Sequence, residues 1–219
     1  MQHGATGPMT EVPTSEGDLR TVQPLAPGQM DSAVDVLCEA FYHYPVMRFI
    51  LGHREPYADR LRTLIQFFLA ARQLRDEPIL GIQSKDGSLA GVALVSLPGE
   101  REIPPALLER RAATWAGLGE EEQGRYEAYG AAHGQFRIDS PHHHLNMIGV
   151  RRSQAGAGLG RALLESVFML ALADPGSSGV SLDTETSENM RLYEHCGYRR
   201  IGHARVSDGL TTWVMYRAK

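Results

Sequence analysis

The sequence has few cysteines, no long hydrophobic run and no excess of positive charge, and each absence excludes a class of protein. Its 219 residues include only two cysteines, Cys38 and Cys196, too few for a disulfide framework. No apolar run approaches the roughly 18 residues of a membrane-spanning helix. The net charge of −4 gives no general attraction to nucleic acid or anionic membranes. We therefore expect a cytoplasmic protein that binds neither nucleic acid nor membrane. The sequence is compatible with a homodimer.

The composition favours one folded domain with a polar leader. A chain of 219 residues with 42% hydrophobic content can bury one sizeable core. Residues 1–18, "MQHGATGPMTEVPTSEGD", are polar and rich in chain breakers, which predicts a flexible N-terminal lead. We expect a single domain over residues 19–219.

Strand-like and helix-like segments are interspersed along the rest of the chain. Met30, Ala33, Leu37 and Phe41 repeat at helical spacing, and Pro45 is expected to end or kink that helix. Residues 104–136 predict a helical pair, with a strand hairpin before it and another at the C-terminus. The further strand-like segments are "LRTVQPL", "HLNMIGV" and "GVSLDT". This order predicts an α/β fold with a mixed sheet covered by helices.

The segment "SQAGAGLG", residues 153–160, follows a predicted strand and precedes a helical pattern. A glycine-rich turn at a helix N-terminus presents unpaired backbone N–H groups and the positive end of the helix dipole, which suits a pyrophosphate. The segment does not match a P-loop, because it has no lysine. It does not match the dinucleotide-binding motif either, because Arg161 stands where the third glycine of that motif belongs. From the loop alone, glycines that only permit tight strand-to-helix packing remain the alternative.

The context of this loop resembles a known family. "LNMIGVRRSQAGAGLGRALL" resembles the central motif of the GNAT superfamily of acetyl-CoA-dependent N-acetyltransferases, and "LDTETSENMRLYEHCGYRRIG" resembles its second motif, with a strand, then Asn189, Tyr193 and a Gly-Tyr pair. The resemblance covers roughly residues 19–217. "AFYHYPVMRFIL", the helical insert and "DGLTTWVMYR" look most like the puromycin N-acetyltransferase-like branch.

The resemblance implies a mostly antiparallel central sheet flanked by helices, with acetyl-CoA as the cosubstrate. One departure is Ala155, which stands where the family has Gln or Arg; because that position mainly lends a backbone N–H group, binding should survive. The residues that this resemblance assigns to the cosubstrate are Ile148, Gly149, Val150, Ala155, Gly156, Ala157, Gly158, Leu159, Gly160, Arg161, Asn189 and Tyr193.

Acetyl transfer to an amine needs a proton acceptor for the amine, a donor for the thioester oxygen and a proton for the departing thiolate. By resemblance, Tyr193 is the general acid at the sulfur, with a packed core tyrosine as the alternative. Asn189 is expected to bond pantetheine or to cap a helix. The strand 148–150 is expected to supply backbone hydrogen bonds to pantetheine and one N–H group to the oxyanion.

Two residues compete for the role of base. His144, with an ordinary pKa of about 6.5, is one, and Asp183, where the puromycin branch has glutamate, is the other; a rim histidine and a turn aspartate are the structural alternatives. The run "PHHHL" could indicate a metal site, but only His142 and His144 share a strand face, and no carboxylate lies at ligand spacing from them. We therefore expect no metal.

Aromatic residues of the first helix and the insert are expected to bind the acceptor or to pack the helices. The predicted acceptor residues are Phe41, Tyr42, Tyr44 and Trp115, with Tyr126 and Tyr129 as further candidates for the same cavity. The predicted function is direct transfer of acetyl from acetyl-CoA to a primary amine of a small molecule in a ternary complex. The alternatives are a protein amino group as acceptor and a non-catalytic acyl-CoA-binding regulatory domain.

Overall fold

A computed structural model describes residues 21–136 and 138–219, so the predicted lead at 1–18 lies outside the described residues. Helices and strands alternate along this part of the chain. The helices are α1 (Met30–Phe41), α2 (Pro45–Leu51), α3 (Tyr57–Leu74), α4 (Pro105–Leu118), α5 (Glu120–Gly134), α6 (Leu159–Ala173) and α7 (Ser187–His195). The strands are β1 (Val22–Pro24), β2 (Ile79–Gln83), β3 (Leu89–Ser96), β4 (His143–Val150), β5 (Gly179–Thr184), β6 (Arg199–Ser207) and β7 (Leu210–Ala218).

The strands form one seven-stranded sheet in the order β1-β2-β3-β4-β5-β7-β6. Neighbouring strands are antiparallel except β4 and β5, which run parallel. The predicted α/β class with a mixed, mostly antiparallel sheet flanked by helices is therefore confirmed. Both predicted hairpins are present, as β2–β3 and β6–β7.

The sheet is covered on both faces by apolar helices, which gives two core clusters. One cluster joins α1, α2, α3 and α4 to one sheet face, with Leu37, Leu64 and Met147 among its members. The other packs α6 on the opposite face, where Leu163 and Val167 meet β-strand residues. Because the sheet is buried on both sides, β3 is apolar almost throughout and lacks the polar–apolar alternation of a half-exposed strand.

Pro45 begins a helix in the structure and does not kink one. It occupies the first turn of α2, and Tyr44 before it has extended backbone angles. A proline is tolerated there because the first N–H groups of a helix have no intrahelical partner. The sequence predicts a break at this point but does not predict α2.

The predicted helical pair at 104–136 is confirmed as α4 and α5, and buried charges attach it to the rest of the fold. Arg60 of α3 donates to Glu122 of α5 at 2.5 Å, with both side chains at most 10% exposed. Arg125 forms an ion pair with Glu122 at 3.2 Å and donates to the carbonyl of Ile50 at 2.8 Å. The pair thereby closes over α2 and α3 and forms one wall of the site. Among the described helices, none has the length and apolarity to cross a bilayer.

Candidate functional site

A gap in the middle of the sheet positions the site. Parallel strands β4 and β5 pair only from His143 to Leu145 and from Val180 to Leu182, and then separate. The N–H group of Arg151 bonds the carbonyl of Ala90 on the β3 side. Because N–H groups alternate in direction along an antiparallel pair, those of Ile148 and Val150 point away from β3, into the gap.

A β-bulge lies beside the gap. Leu94 of β3 pairs with Met147, whereas the next residue, Val95, pairs with Leu145, so Asn146 is an extra residue in β4. A bulge redirects the backbone and the side chains on either side of it. His144 and Asn146, two residues apart, both line the cavity described below, and Asn146 accepts a hydrogen bond from Arg72 of α3.

The glycine loop follows β4 and leads into α6. Gly156 and Gly158 have positive φ angles of 75° and 80°, and a Cβ atom on either would meet nothing within 4 Å. Close packing therefore does not explain these two glycines; the backbone conformation does. Glu39 of α1 fixes the loop by accepting from the Arg151 guanidinium at 3.0 Å and from the backbone N–H of Arg152 at 2.7 Å.

A cavity of about 800 Å³ connects the gap to the helical insert. The strand end and loop contribute Ile148, Gly149, Val150 and Ala155, and the helices contribute Phe41, Tyr44, Asn189, Tyr193 and Tyr129. Its end near the insert is largely apolar, while its centre holds several buried ionisable side chains. This combination is typical of a small-molecule site.

Tyr193 is a buried tyrosine at the centre of the cavity, 6% exposed. Its ring packs edge-on against that of Tyr198, with centroids 5.9 Å apart. Burial, and then the nearby Tyr44, raise its pKa well above the ordinary value, so the phenol stays protonated at physiological pH.

Asn189 and Tyr44 join α7 to the corner between α1 and α2. The backbone N–H of Asn189 donates to the Thr186 hydroxyl at 3.3 Å, so Thr186 is the residue that caps α7. The Asn189 side-chain amide donates to the Tyr44 hydroxyl at 3.5 Å. The Tyr44 hydroxyl also bonds Thr184 at 3.1 Å and accepts from the backbone N–H of Glu185 at 3.3 Å. Burial raises the pKa of Tyr44 to about 12.

Glu185, directly after β5, is the residue that sequence reasoning missed. The residue is 8% exposed, and its carboxyl group accepts hydrogen bonds from the Tyr129 hydroxyl at 2.9 Å and the Thr212 hydroxyl at 3.0 Å. Burial raises its pKa to about 7, although these hydrogen bonds oppose the shift. A signal was present, because Asp183 and Glu185 are two residues apart and alternate strand residues share a face.

The two predicted bases, His144 and Asp183, lie next to each other. His144 Nε2 is 3.7 Å from Asp183 Oδ2, and His144 Nδ1 bonds the Ser181 hydroxyl at 2.8 Å. His133 of α5 approaches the same carboxylate oxygen at 3.5 Å. Burial lowers the pKa of His144 despite the opposing effect of Asp183. The carboxylate that sequence spacing did not place near His144 thus comes from β5; within the described residues, no group of three or more possible ligands could hold a metal ion.

Some predicted site residues lie outside the cavity. Tyr42 packs on Tyr57 and Arg48 at the surface, and Trp115 is buried behind the wall against Phe67 and Tyr126. Either would affect the acceptor only indirectly. The predicted loop residues that do not line the cavity are Gly156, Ala157, Gly158, Leu159, Gly160 and Arg161, which extend from its mouth.

Comparisons with known proteins agree with this geometry. Residues 118–218 match the family model of an acetyltransferase (GNAT) domain. A solved structure described as histone acetyltransferase HPA2 and related acetyltransferase, from Corynebacterium glutamicum, is 24% identical with a TM-score of 0.66, covering 90% of this chain and 95% of that chain. Arylalkylamine N-acetyltransferase 2 from Aedes aegypti is 18% identical with a TM-score of 0.61, covering 90% and 98%.

A third similar structure is the polyamine N-acetyltransferase of Drosophila melanogaster, 18% identical with a TM-score of 0.60, covering 90% of this chain and 97% of that chain. No curated protein matches the sequence. At these identities the solved structures show the fold. The stretch from residue 118 to 218, which contains the gap, the glycine loop and Glu185, thus matches a GNAT acetyltransferase domain on a fold that acetyltransferases share.

Proposed function

We propose that this protein transfers the acetyl group of acetyl-CoA to a primary amine of a small molecule, by direct attack in a ternary complex. The observation that carries the proposal is that one cavity joins the gap beside the glycine loop to a buried carboxyl group, Glu185, and a buried phenol, Tyr193. Acetyl transfer needs a base and an acid on either side of one reacting carbon, and this cavity contains both types of group.

The gap and the loop suit the cosubstrate. The N–H groups of Ile148 and Val150 offer hydrogen bonds to the amides of pantetheine, and the open loop before α6 offers backbone N–H groups to a pyrophosphate. Both contributions come from the backbone, so the Ala155 departure removes neither. Bound there, acetyl-CoA would supply the activated acetyl group.

Glu185 is the proposed general base. Its pKa of about 7 makes it ionised for a large part of the time at neutral pH and basic enough to take a proton from an ammonium group directly or through water. Tyr129 and Thr212 hold the carboxylate in place. His144 and Asp183 remain alternatives, because they too line the cavity.

Tyr193 is the proposed general acid, because its phenol is protonated at physiological pH. It lies on α7, the helix that follows β5 at the edge of the gap. Asn189 positions Tyr44 beside it. The bulge at Asn146 and the strand that follows it are the proposed source of the N–H group for the oxyanion.

The cavity favours a small-molecule acceptor over a protein amino group, since residues of α4 and α5 line it and narrow the room for a polypeptide. The narrower likeness to the puromycin N-acetyltransferase-like branch stays a prediction.

The test is a panel of amines, of peptide N-termini and of lysine peptides, each incubated with acetyl-CoA and followed by thiol release. Acetylation of at least one small amine above the rate of the peptides is expected. Acetylation of peptides alone would indicate a protein acceptor. Acetyl-CoA binding with no transfer to any amine would indicate a non-catalytic binding domain.

A further inference from the structure

Three arginines line the cavity on the side of α3 and α4. Arg72 and Arg75 stand at the C-terminal end of α3, and Arg111 projects from α4. The proposed reaction uses none of them. Arginines beside the apolar part of the cavity lining need their own explanation.

The three arginines differ in how far their charge is already neutralised. Arg72 is an ion-pair partner of Glu77 at 3.1 Å and donates to Asn146 at 2.7 Å and to Ser96. Arg111 pairs with Glu127 at 3.4 Å. Arg75 has no carboxylate partner within the described residues; its guanidinium reaches only the carbonyl of Arg101, at 3.5 Å. Its Nε atom is buried without a hydrogen-bond partner.

A cation that lines a cavity without a carboxylate partner is costly unless an anion neutralises it. Because Arg75 lines the cavity and carries the only uncompensated charge of the three arginines, the ligand group that fits is an anion. A carboxylate suits it best, since the guanidinium fork matches the two carboxylate oxygens.

The phosphates of the cosubstrate do not account for this charge. Arg72 contacts Asn146, and the loop begins after Val150, so four strand residues, about 13 Å, separate the two regions. The arginines are therefore on the acceptor side of the bulge.

The other side chains that line the cavity indicate the remaining parts of the acceptor. Phe67, Phe68, Leu107 and Tyr126 line the same cavity and supply apolar surface. Asp183 and Glu185, which also line it, attract an ammonium group. The cavity thus offers contacts for an amine, an apolar body and an anion.

We propose that the acceptor is an amine that carries an aromatic or similarly large apolar body and a carboxylate, and that Arg75, assisted by Arg111, binds this carboxylate. The inference rests on the proposed function for the identity of the reacting group. It adds a substrate class and the residue that selects it.

The test compares carboxylates with their neutral amides. The ligands are the N-acetyl derivatives of phenylalanine, β-phenylalanine and 4-(aminomethyl)benzoate, each beside its primary amide, with binding measured by calorimetry in the presence of CoA. These products lack a titrating amine, so the two members of each pair differ only in the anion. We expect at least one acid to bind about tenfold more tightly than its amide, as a charged hydrogen-bonded pair would give.

Arg75→Gln should remove that preference while leaving the affinity for the amide unchanged, and Arg111→Gln should reduce it. Arg62→Gln is the matched control, because Arg62 is on the same helix but is exposed and pairs with Asp35 outside the cavity; it should keep the preference. Acids that bind no better than their amides, or a preference retained in folded Arg75→Gln, would overturn the inference.

The amine panel separates this inference from the proposed function. Turnover of neutral amines without any preference for the acids would refute the carboxylate site and leave the acetyltransferase standing. An Arg75-dependent preference for the acids without acetyl transfer to any amine would support the site and refute the proposed function.

Discussion

Replacing Glu185 by glutamine tests the proposed base directly. The substitution keeps a carbonyl oxygen in the place where Glu185 accepts hydrogen bonds from Tyr129 and Thr212, so the surrounding packing should persist. It removes the group that would take the proton. The position is buried at 8% exposure, which leaves little room for bulk water to substitute.

The expected loss of turnover follows from the contribution of a positioned base, roughly a hundred- to ten-thousandfold. The pH profile is more specific. A base acts when it is ionised, so kcat/KM of the wild-type protein should rise as the pH increases through about 7, the pKa of Glu185. The Glu185→Gln variant should lack this limb and keep only the one that the substrate amine imposes.

As the pH rises, the stability of the folded protein should fall, whereas kcat/KM should increase. The folded protein raises the pKa of Glu185 from 4.5 to about 7, so between these values the folded state holds more protons than the unfolded state, and stability falls as the pH rises. The full difference corresponds to about 3 kcal/mol at most. Glu185→Gln removes this penalty, so at pH 8 the variant should be more stable than wild type, and below pH 4.5 the advantage should disappear.

The assays are thiol release across pH and thermal unfolding at both ends of the range. Glu188→Gln is the control, because it removes an exposed carboxylate of the adjacent helix that does not line the cavity. A Glu185→Gln variant with near-wild-type turnover and an unchanged pH profile would refute the assignment. If Asp183→Asn or His144→Gln then abolished the limb near pH 7, the role would pass to that residue.

Three further predictions use other parts of the structure. Gly158→Val should weaken CoA binding strongly, because a β-branched residue strains a φ of 80° and obstructs the loop surface. The control is Gly87→Val, which is equally strained at a φ of 83° in the β2–β3 turn and should leave CoA affinity unchanged. Titration calorimetry measures the CoA affinity of both variants. Tyr193→Phe should lower turnover roughly ten- to ten-thousandfold with little change in CoA affinity, and normal turnover would remove its hydroxyl from the mechanism. Glu122→Ala leaves the buried guanidinium of Arg60 unpaired and should cost about 3–5 kcal/mol, whereas a melting temperature equal to that of wild type would contradict a structural role for this ion pair.

Sequence patterns predicted the fold well where they are local. The helical repeat from Met30 gave α1, the turn residues between apolar runs gave both hairpins, and the glycines at 156 and 158 indicated the loop with positive φ angles. Helix α2 was not predicted because a proline often ends a helix, whereas its fixed φ also suits the first turn of the next helix.

The sequence predicted several side chains that line the cavity, namely Tyr193, Asn189, His144 and Asp183, but not Glu185. Burial that no local pattern shows raises the pKa of Glu185, and its hydrogen-bond partners Tyr129 and Thr212 lie 56 and 27 residues away in sequence. Arg75 was not predicted either, because its lack of a carboxylate partner among the described residues shows only in three dimensions. In the sequence no carboxylate lies at ligand spacing from His144, whereas the sheet places Asp183 beside it.

The separation of β4 and β5 also has a mechanical consequence. Only three residue pairs join the half of the sheet formed by β1–β4 to the half formed by β5, β6 and β7. Beyond them, the Tyr44 hydroxyl bridges the halves by bonding Thr184, Glu185 and Asn189. A ligand whose amides pair with the free edge of β4 would serve as an additional strand between the halves and stiffen their junction.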